Sequence, residues 1–75
     1  MADNKVIKLQ GTVEEALPSL LFRVSVKMPD DSEREVLAHL AGKMKMYRIR
    51  VVPGDTVTVE MPNENSERGR IIRRL

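Results

Sequence analysis

The side chains that could act as nucleophiles, general bases or metal ligands are few in this sequence. His39 is the only histidine and there is no cysteine, so neither a cysteine–histidine pair nor a histidine-rich metal site can form. We interpret His39, which lies near the end of a predicted strand, as structural rather than catalytic. All the serines would have to share that histidine as their base: Ser19, Ser25, Ser32 and Ser66.

Paired carboxylates and glycine turns also fail to suggest catalysis. Glu14 and Glu15 are neighbours, and successive residues of a strand point to opposite faces of the sheet. The second pair, at 30–31, lies in a predicted exposed turn. The glycines at 53–55 and 69–70 mark turns rather than a phosphate-binding loop of the Walker type. The sequence therefore predicts a protein that is not an enzyme and holds no metal or cofactor.

Basic residues are the group whose spacing does suggest a function. The chain has 13 Lys and Arg residues and a net charge of only +2, but eight of these cations lie in two short stretches. Such segregation creates a local positive field that can neutralise phosphates; a solvated charged surface without a partner is the alternative. The two stretches are Lys43, Lys45, Arg48 and Arg50, and then Arg68, Arg70, Arg73 and Arg74.

The scarcity of aromatic residues limits the kind of nucleic acid that such a surface could bind. Phe22 and Tyr47 are the only aromatic residues, and Phe22 has the apolar parity of its strand, which predicts a core position. Proteins that bind single strands without sequence preference stack successive bases on several rings. The sequence therefore favours a folded RNA, recognised by shape and phosphate contacts. Met44 and Met46 could wedge against bases, but their spacing is more typical of core filling.

Alternation of apolar and polar residues predicts five strands, at 7–14, 22–28, 35–40, 56–61 and 70–73. Gly11 predicts a bulge or sharp bend in the first strand. Between the third and fourth strands, Met44, Tyr47 and Arg48 have the spacing of one or two helical turns. Five short strands with a helical insert after the third form the pattern of an OB-fold, a five-stranded Greek-key barrel. An SH3-like barrel is the alternative, and the position of the insert favours the OB-fold.

Size and the first residues of the chain predict where the protein acts. At 75 residues the sequence predicts a single domain, 1–75. The absence of cysteine fits a reducing cytosol. Residues 1–5 do not begin a signal peptide, and no apolar run approaches the roughly 18 residues of a membrane span. We expect a soluble, cytoplasmic protein that does not enter a membrane.

Several segments in order closely resemble bacterial translation initiation factor 1. The strongest likeness lies in residues 38–45 (AHLAGKMK), followed by 49–55 (IRVVPGD) and 57–60 (VTVE). The first two strands and the last strand match as well, at 10–13 (QGTV), 17–18 (LP), 22–24 (FRV) and 69–71 (GRI). The likeness covers nearly the whole chain, and the ordered set is far more specific than any one of its motifs.

The resemblance implies an OB-fold protein that binds the small ribosomal subunit at the decoding (A) site. It implies contacts with small-subunit ribosomal RNA and a neighbouring ribosomal protein, and assistance to initiation factors 2 and 3. By resemblance, the basic positions around the insert are Lys43, Lys45 and Arg50, and Arg70 follows the last glycine. The loop at 18–19 matches the one that reaches toward the RNA groove. With the charge pattern, the predicted RNA-binding residues are Pro18, Ser19, Lys43, Lys45, Arg48, Arg50, Arg68, Arg70 and Arg73.

Three departures from the family pattern concern the loops. The hairpin at 28–34 is longer than the family's usual tight turn and is acidic, and we expect it to face away from RNA because carboxylates near phosphates are repelled. Arg48 stands where many members have an aromatic residue, and residues 65–67 replace a usual Asp-Leu-Ser.

Two other functions stay open: a cold-shock-like RNA chaperone, which should carry surface aromatics, and a basic protein-interaction module. We expect a monomer when the protein is free.

Overall fold

The computed structural model describes residues 6–47 and 49–75 of the chain. All five predicted strands are present, and the fourth has its predicted bounds. A short helix lies between the third and fourth strands, as predicted. In chain order the elements are β1 (Ile7–Leu17), a 3-10 turn (Pro18–Leu20), β2 (Leu21–Lys27), β3 (Glu33–Leu40), α1 (Gly42–Met46), β4 (Thr56–Met61) and β5 (Arg68–Arg74).

The strands form a closed barrel in the order β1-β2-β3-β5-β4. One strand closes it, because residues 7–12 of β1 pair with β4 while residues 11–17 pair with β2. The pairing of β3 with β5 is parallel, and the other pairings are antiparallel. A closed five-stranded barrel with its helix between β3 and β4 is the architecture of the OB-fold, which confirms the predicted fold.

The core is formed by the side chains that face inward from every strand, together with side chains of α1 and of the segment before β4. Phe22 and Met44 are both buried, which confirms the core position predicted for Phe22. Within the described residues, no polar or charged side chain is buried, so burial of apolar surface is the main stabilising term of this small barrel. The buried side chains are those of Val13, Phe22, Val24, Val26, Met28, Val36, Ala38, Leu40, Met44, Val51, Val57, Val59, Met61 and Ile71.

The bulge predicted at Gly11 lies elsewhere. The register between β1 and β2 shifts between Val13 and Glu15, so Glu14 is the extra residue. A bulge switches the parity of a strand while its pairing continues, which explains why β1 runs on to Leu17 although the alternation stops. Gly11 instead allows close packing: a Cβ there would lie 2.7 Å from the backbone oxygen of Ser25.

Candidate nucleic-acid interface

The turn between β1 and β2 holds its backbone in a strained conformation. Ser19 and Leu20 have φ values of 66° and 58°, a left-handed region that costs a residue with a Cβ roughly 1–2 kcal/mol. Pro18 begins the turn and is exposed. The side chain of Leu20 is 51% exposed although it is apolar. Strain of this kind is concentrated at functional sites, and Leu20 joins the predicted Pro18 and Ser19 in this loop.

The insert after β3 is anchored by one methionine and exposes its basic residues. The amide of Ala41 donates to the carbonyl of Ile71 over 2.9 Å, which fixes the start of α1 against β5. Met44 is buried, whereas Lys43 and Lys45 are exposed. Both lysines therefore point to solvent from a helix that the core holds in place.

One expectation about the insert is wrong and one is confirmed. Met46 is 71% exposed and does not fill the core, in contrast to Met44. The helical turn predicted from the pattern of Met44, Tyr47 and Arg48 is present as α1, which ends at Met46. Tyr47 follows the helix and is 70% exposed. Arg48, the third residue of that pattern and a predicted RNA-binding residue, lies outside the described residues.

An open groove of about 470 Å³ joins the β1–β2 turn to the first basic stretch. Its wall is apolar, and Lys45 and Arg50 contribute the charged groups. An apolar surface beside two cations can accept a base or ribose together with its phosphate, because phosphate neutralisation supplies affinity. We call this the insert groove; it is lined by Leu20, Phe22, Leu40, Met44, Lys45, Ile49, Arg50, Val51 and Val52.

The second basic stretch lines a different cavity. Arg68 and Arg70 stand on the outward parity of β5, opposite Leu37 and His39 of β3. Arg70 forms an ion pair with Glu60, whose side chain is 18% exposed, so part of its charge is neutralised. We call this space, of about 310 Å³, the β5 cavity; it is lined by Val6, His39, Glu60, Met61, Pro62, Ser66, Arg68, Gly69 and Arg70. His39 is thus exposed beside two arginines, a placement that sequence reasoning missed.

The two basic stretches meet at one end of the barrel. Leu21 at the start of β2, His39 near the end of β3 and Arg70 are cross-strand neighbours in one row. Beyond that row, the guanidinium of Arg74 donates to the carbonyl of Arg50 over 2.7 Å. The β1–β2 turn, α1 and the second half of β5 therefore lie at the same end of the molecule.

The remaining predicted residues are less closely grouped. Arg68 lies two rows further from this end than Arg70, opposite Leu37. Arg73 pairs with Thr58 on β4 and lines neither the insert groove nor the β5 cavity. Lys43 lines neither of these spaces, although it stands on α1 beside the insert groove. RNA contact by any of these side chains stays a prediction.

Comparison with known proteins decides the family of this chain. Residues 3–75 match the family model for translation initiation factor 1A / IF-1. The chain belongs to that family. One similar solved structure is the solution structure of translation initiation factor 1 from the Wolbachia endosymbiont strain TRS of Brugia malayi. Its sequence is 39% identical to this chain, and the two structures superpose with a TM-score of 0.68. The match covers 97% of this chain and 83% of the relative. The predicted resemblance is confirmed, and the protein is a translation initiation factor.

A second solved structure shows how widely the barrel itself is shared. The crystal structure of YjeQ from Thermotoga maritima matches with a TM-score of 0.70 at 23% identity, over 92% of this chain but only 23% of that one. At this identity the likeness shows the OB-fold alone. Assignment to the IF-1 family therefore depends on the first two comparisons.

The acidic hairpin of this IF-1 family member lies at the other end of the β2–β3 ladder from the insert. The pair Lys27–Glu33 closes the hairpin, whereas Leu21–His39 borders the β1–β2 turn. Lys27 lies six positions after Leu21 in β2, which corresponds to roughly 20 Å at about 3.3 Å per residue. The acidic end and the end that carries the insert groove are thus well apart.

The hairpin turn is shaped by its own polar groups. Asp30 accepts hydrogen bonds from the Ser32 hydroxyl at 2.5 Å and from the Ser32 amide at 3.0 Å. These bonds hold the pKa of the Asp30 carboxyl below its usual value, because they stabilise the charged form. Lys27 lies 3.9 Å from the carboxylate of Asp31. The longer hairpin is therefore an ordered acidic feature of this family member.

Proposed function

We propose that this protein is a non-catalytic initiation factor that binds the small ribosomal subunit at the decoding (A) site through small-subunit ribosomal RNA. One observation carries the proposal: the strained β1–β2 turn, the insert groove and the second half of β5 meet at one end of the barrel. The β1–β2 loop is one of the loops beside which OB-folds bind nucleic acid. The cations that we assign to this surface are Lys43, Lys45, Arg48, Arg50, Arg68, Arg70 and Arg73.

The chemistry of the surface suits a folded RNA. The minor groove of an A-form helix is wide and shallow, so it admits a protruding loop and is recognised by shape. The β1–β2 turn presents exposed Leu20 on such a loop. Lys45 and Arg50 would bind phosphates on either side of a base or ribose in the insert groove. Because Arg70 is already paired with Glu60, we expect it to contribute less to affinity than Arg50.

The same surface and the family support the protein partners that we propose. Exposed Met46 and Tyr47 on the insert offer apolar area for a neighbouring ribosomal protein. We propose that the bound factor stabilises initiation factors 2 and 3 on the small subunit. We also propose that residues 1–75 act as one cytoplasmic domain that is monomeric when free. No helix in the described part of the chain has the length and apolar character that crossing a membrane requires.

Co-sedimentation with purified small and large ribosomal subunits over a salt series tests the proposed function. We expect selective binding to the small subunit, with a double-logarithmic salt slope of about −4 if about five phosphates are neutralised. Chemical footprinting should then protect nucleotides of the decoding site. Equal binding to any single-stranded oligonucleotide would instead indicate an RNA chaperone. Absence of RNA binding would indicate a protein-interaction module.

Neutralising the acidic hairpin tests the orientation of the bound protein. We expect the combined variant to change small-subunit affinity by less than about twofold at physiological salt, because the closure of the hairpin lies roughly 20 Å from the insert groove, which exceeds the Debye length of about 8 Å. At roughly 10 mM salt, where that length is about 30 Å, the same variant should bind more tightly. A large change at physiological salt would place the hairpin beside the RNA. The variant combines Asp30→Asn, Asp31→Asn, Glu33→Gln and Glu35→Gln.

A further inference from the structure

Arg34 lies on the inward-facing side of β3, where the other residues are apolar. It pairs with buried Val26, and the next residues of the same parity, Val36 and Ala38, are buried. Arg34 itself is half-buried, because it stands at the hairpin end of the barrel where its guanidinium can leave the core. A charged group on the inward parity requires partners that satisfy its hydrogen bonds.

Those partners belong to the β4–β5 loop, residues 62–67. One guanidinium nitrogen of Arg34 donates to the carbonyl of Glu64, and the other donates to the carbonyl of Asn65 over 3.1 Å. The two contacts form a fork to consecutive peptide groups, a geometry that a planar guanidinium provides and an ammonium does not. The fork joins strand β3 to the centre of a loop thirty residues later in the chain.

The other hydrogen bonds of this loop do not attach residues 63–65 to the barrel. The amide of Leu37 donates to the carbonyl of Glu67 over 3.0 Å, at the end of the loop. Asn63 accepts hydrogen bonds only from within the loop, from the amides of residues 65 and 66. Within the described residues, Arg34 therefore makes the hydrogen bonds that connect the loop's centre to another strand.

Ser66, which follows the loop's centre, is hydrogen-bonded to Arg68. The hydroxyl of Ser66 donates to the carbonyl of Arg68 over 2.7 Å and accepts from its amide over 3.2 Å. Both Ser66 and Arg68 line the β5 cavity. Residues 64–65 are thus linked through Ser66 to the first basic residue of β5.

We propose that Arg34 is a positioning residue for the RNA-binding surface: it holds the β4–β5 loop so that Arg68 keeps its place beside the β5 cavity. Binding surfaces need such support, since contact residues are effective only when the residues behind them fix their geometry. The inference rests on the proposed function. It also assigns a purpose to Arg34 beyond that of covering the end of the barrel.

The experiment compares three single variants in the full chain. Arg34→Met keeps much of the side-chain stem and removes the fork, and Arg34→Lys keeps the charge without the fork. Lys27→Met is the matched control, because it removes a cation from the same hairpin whose partner is Asp31 rather than the loop. Affinity for small subunits is measured for each, and ¹⁵N relaxation of residues 63–68 is measured on the free protein.

We expect Arg34→Met and Arg34→Lys each to weaken small-subunit binding by up to about fivefold, the loss expected for one phosphate contact made by Arg68. Lys27→Met should change it by less than about twofold. Relaxation should show larger motion at 63–67 in both Arg34 variants. In an Arg68→Ala background, Arg34→Met should have almost no further effect, because residues acting through one another are not additive.

Distinct outcomes would overturn the inference and the proposed function. If the wild-type chain does not bind small subunits, the proposed function fails and this inference fails with it. If the wild type binds and Arg34→Met binds equally well, only the inference fails. It also fails if Lys27→Met has the same effect as Arg34→Met, or if the Arg34 effect persists in the Arg68→Ala background. Should Arg34→Met unfold at the assay temperature, Arg34→Lys provides the same comparisons.

Discussion

Replacing Lys43, Lys45 and Arg50 together by alanine is expected to lower small-subunit affinity by more than about 100-fold. Each single substitution should cost about 1 kcal/mol or somewhat more, as expected for a lost phosphate contact, and should reduce the salt slope by about one. All three residues are exposed on the insert or just after it, and two of them line the insert groove. Titration of labelled protein with small subunits at several salt concentrations measures both quantities.

The control for this prediction is Lys27→Ala, which removes the same charge at the hairpin end and should leave affinity within about twofold. The barrel should stay folded in the triple variant, because none of the three side chains is buried. Only the backbone carbonyl of Arg50 accepts the bond from Arg74, and alanine keeps that carbonyl. A fall in melting temperature for Arg50→Ala with intact binding would show that this residue is structural.

Gly11→Ala is expected to lower the free energy of unfolding by about 2–3 kcal/mol. The new Cβ would lie 2.7 Å from the Ser25 oxygen and 2.7 Å from a methyl carbon of Val24. The first obstacle is backbone in a paired strand, which cannot rotate away. For a domain of this size the melting temperature should fall by about 10–20 °C, which thermal denaturation followed by circular dichroism would measure.

Gly42→Ala is the matched control, since a Cβ at that position has no neighbour within 4 Å. Gly42 begins α1, where alanine is preferred to glycine, so the change should be neutral or stabilise by up to about 1 kcal/mol. A Gly11→Ala protein that melts at the wild-type temperature would show that β1 and β2 can separate enough to admit a methyl group.

The alternation of apolar and polar residues predicted most of the barrel. In a strand with one buried face, every second side chain faces the core and is apolar. The alternation failed beyond Val13, where the bulge at Glu14 puts two successive residues on the exposed side and hides the rest of β1 from a pattern of period two. It also gave the wrong reason for Gly11. The glycine is required by the closeness of a neighbouring strand, which only the assembled sheet reveals.

The candidate site was partly predictable for a similar reason. Clusters of cations are visible in a sequence, and the structure brings Arg50 and Arg74 into contact. Leu20 and Arg34 were not predicted. Tertiary structure causes both features: the left-handed conformation of the leucine, and the inward-facing arginine that reaches a distant loop. Neither feature can be recognised from the neighbouring residues in the sequence.

The placement of β5 between β3 and β4 has a consequence for synthesis of the protein. β5 is the last strand of this sequence, and it is the one that joins the two halves of the sheet. Until residues 68–74 have left the ribosome, β3 and β4 of the nascent chain each have an unpaired edge. Such edges can pair with strands of other chains. Closure depends on contacts between distant segments, which form slowly. The barrel therefore cannot close until translation of its own message has passed Arg74.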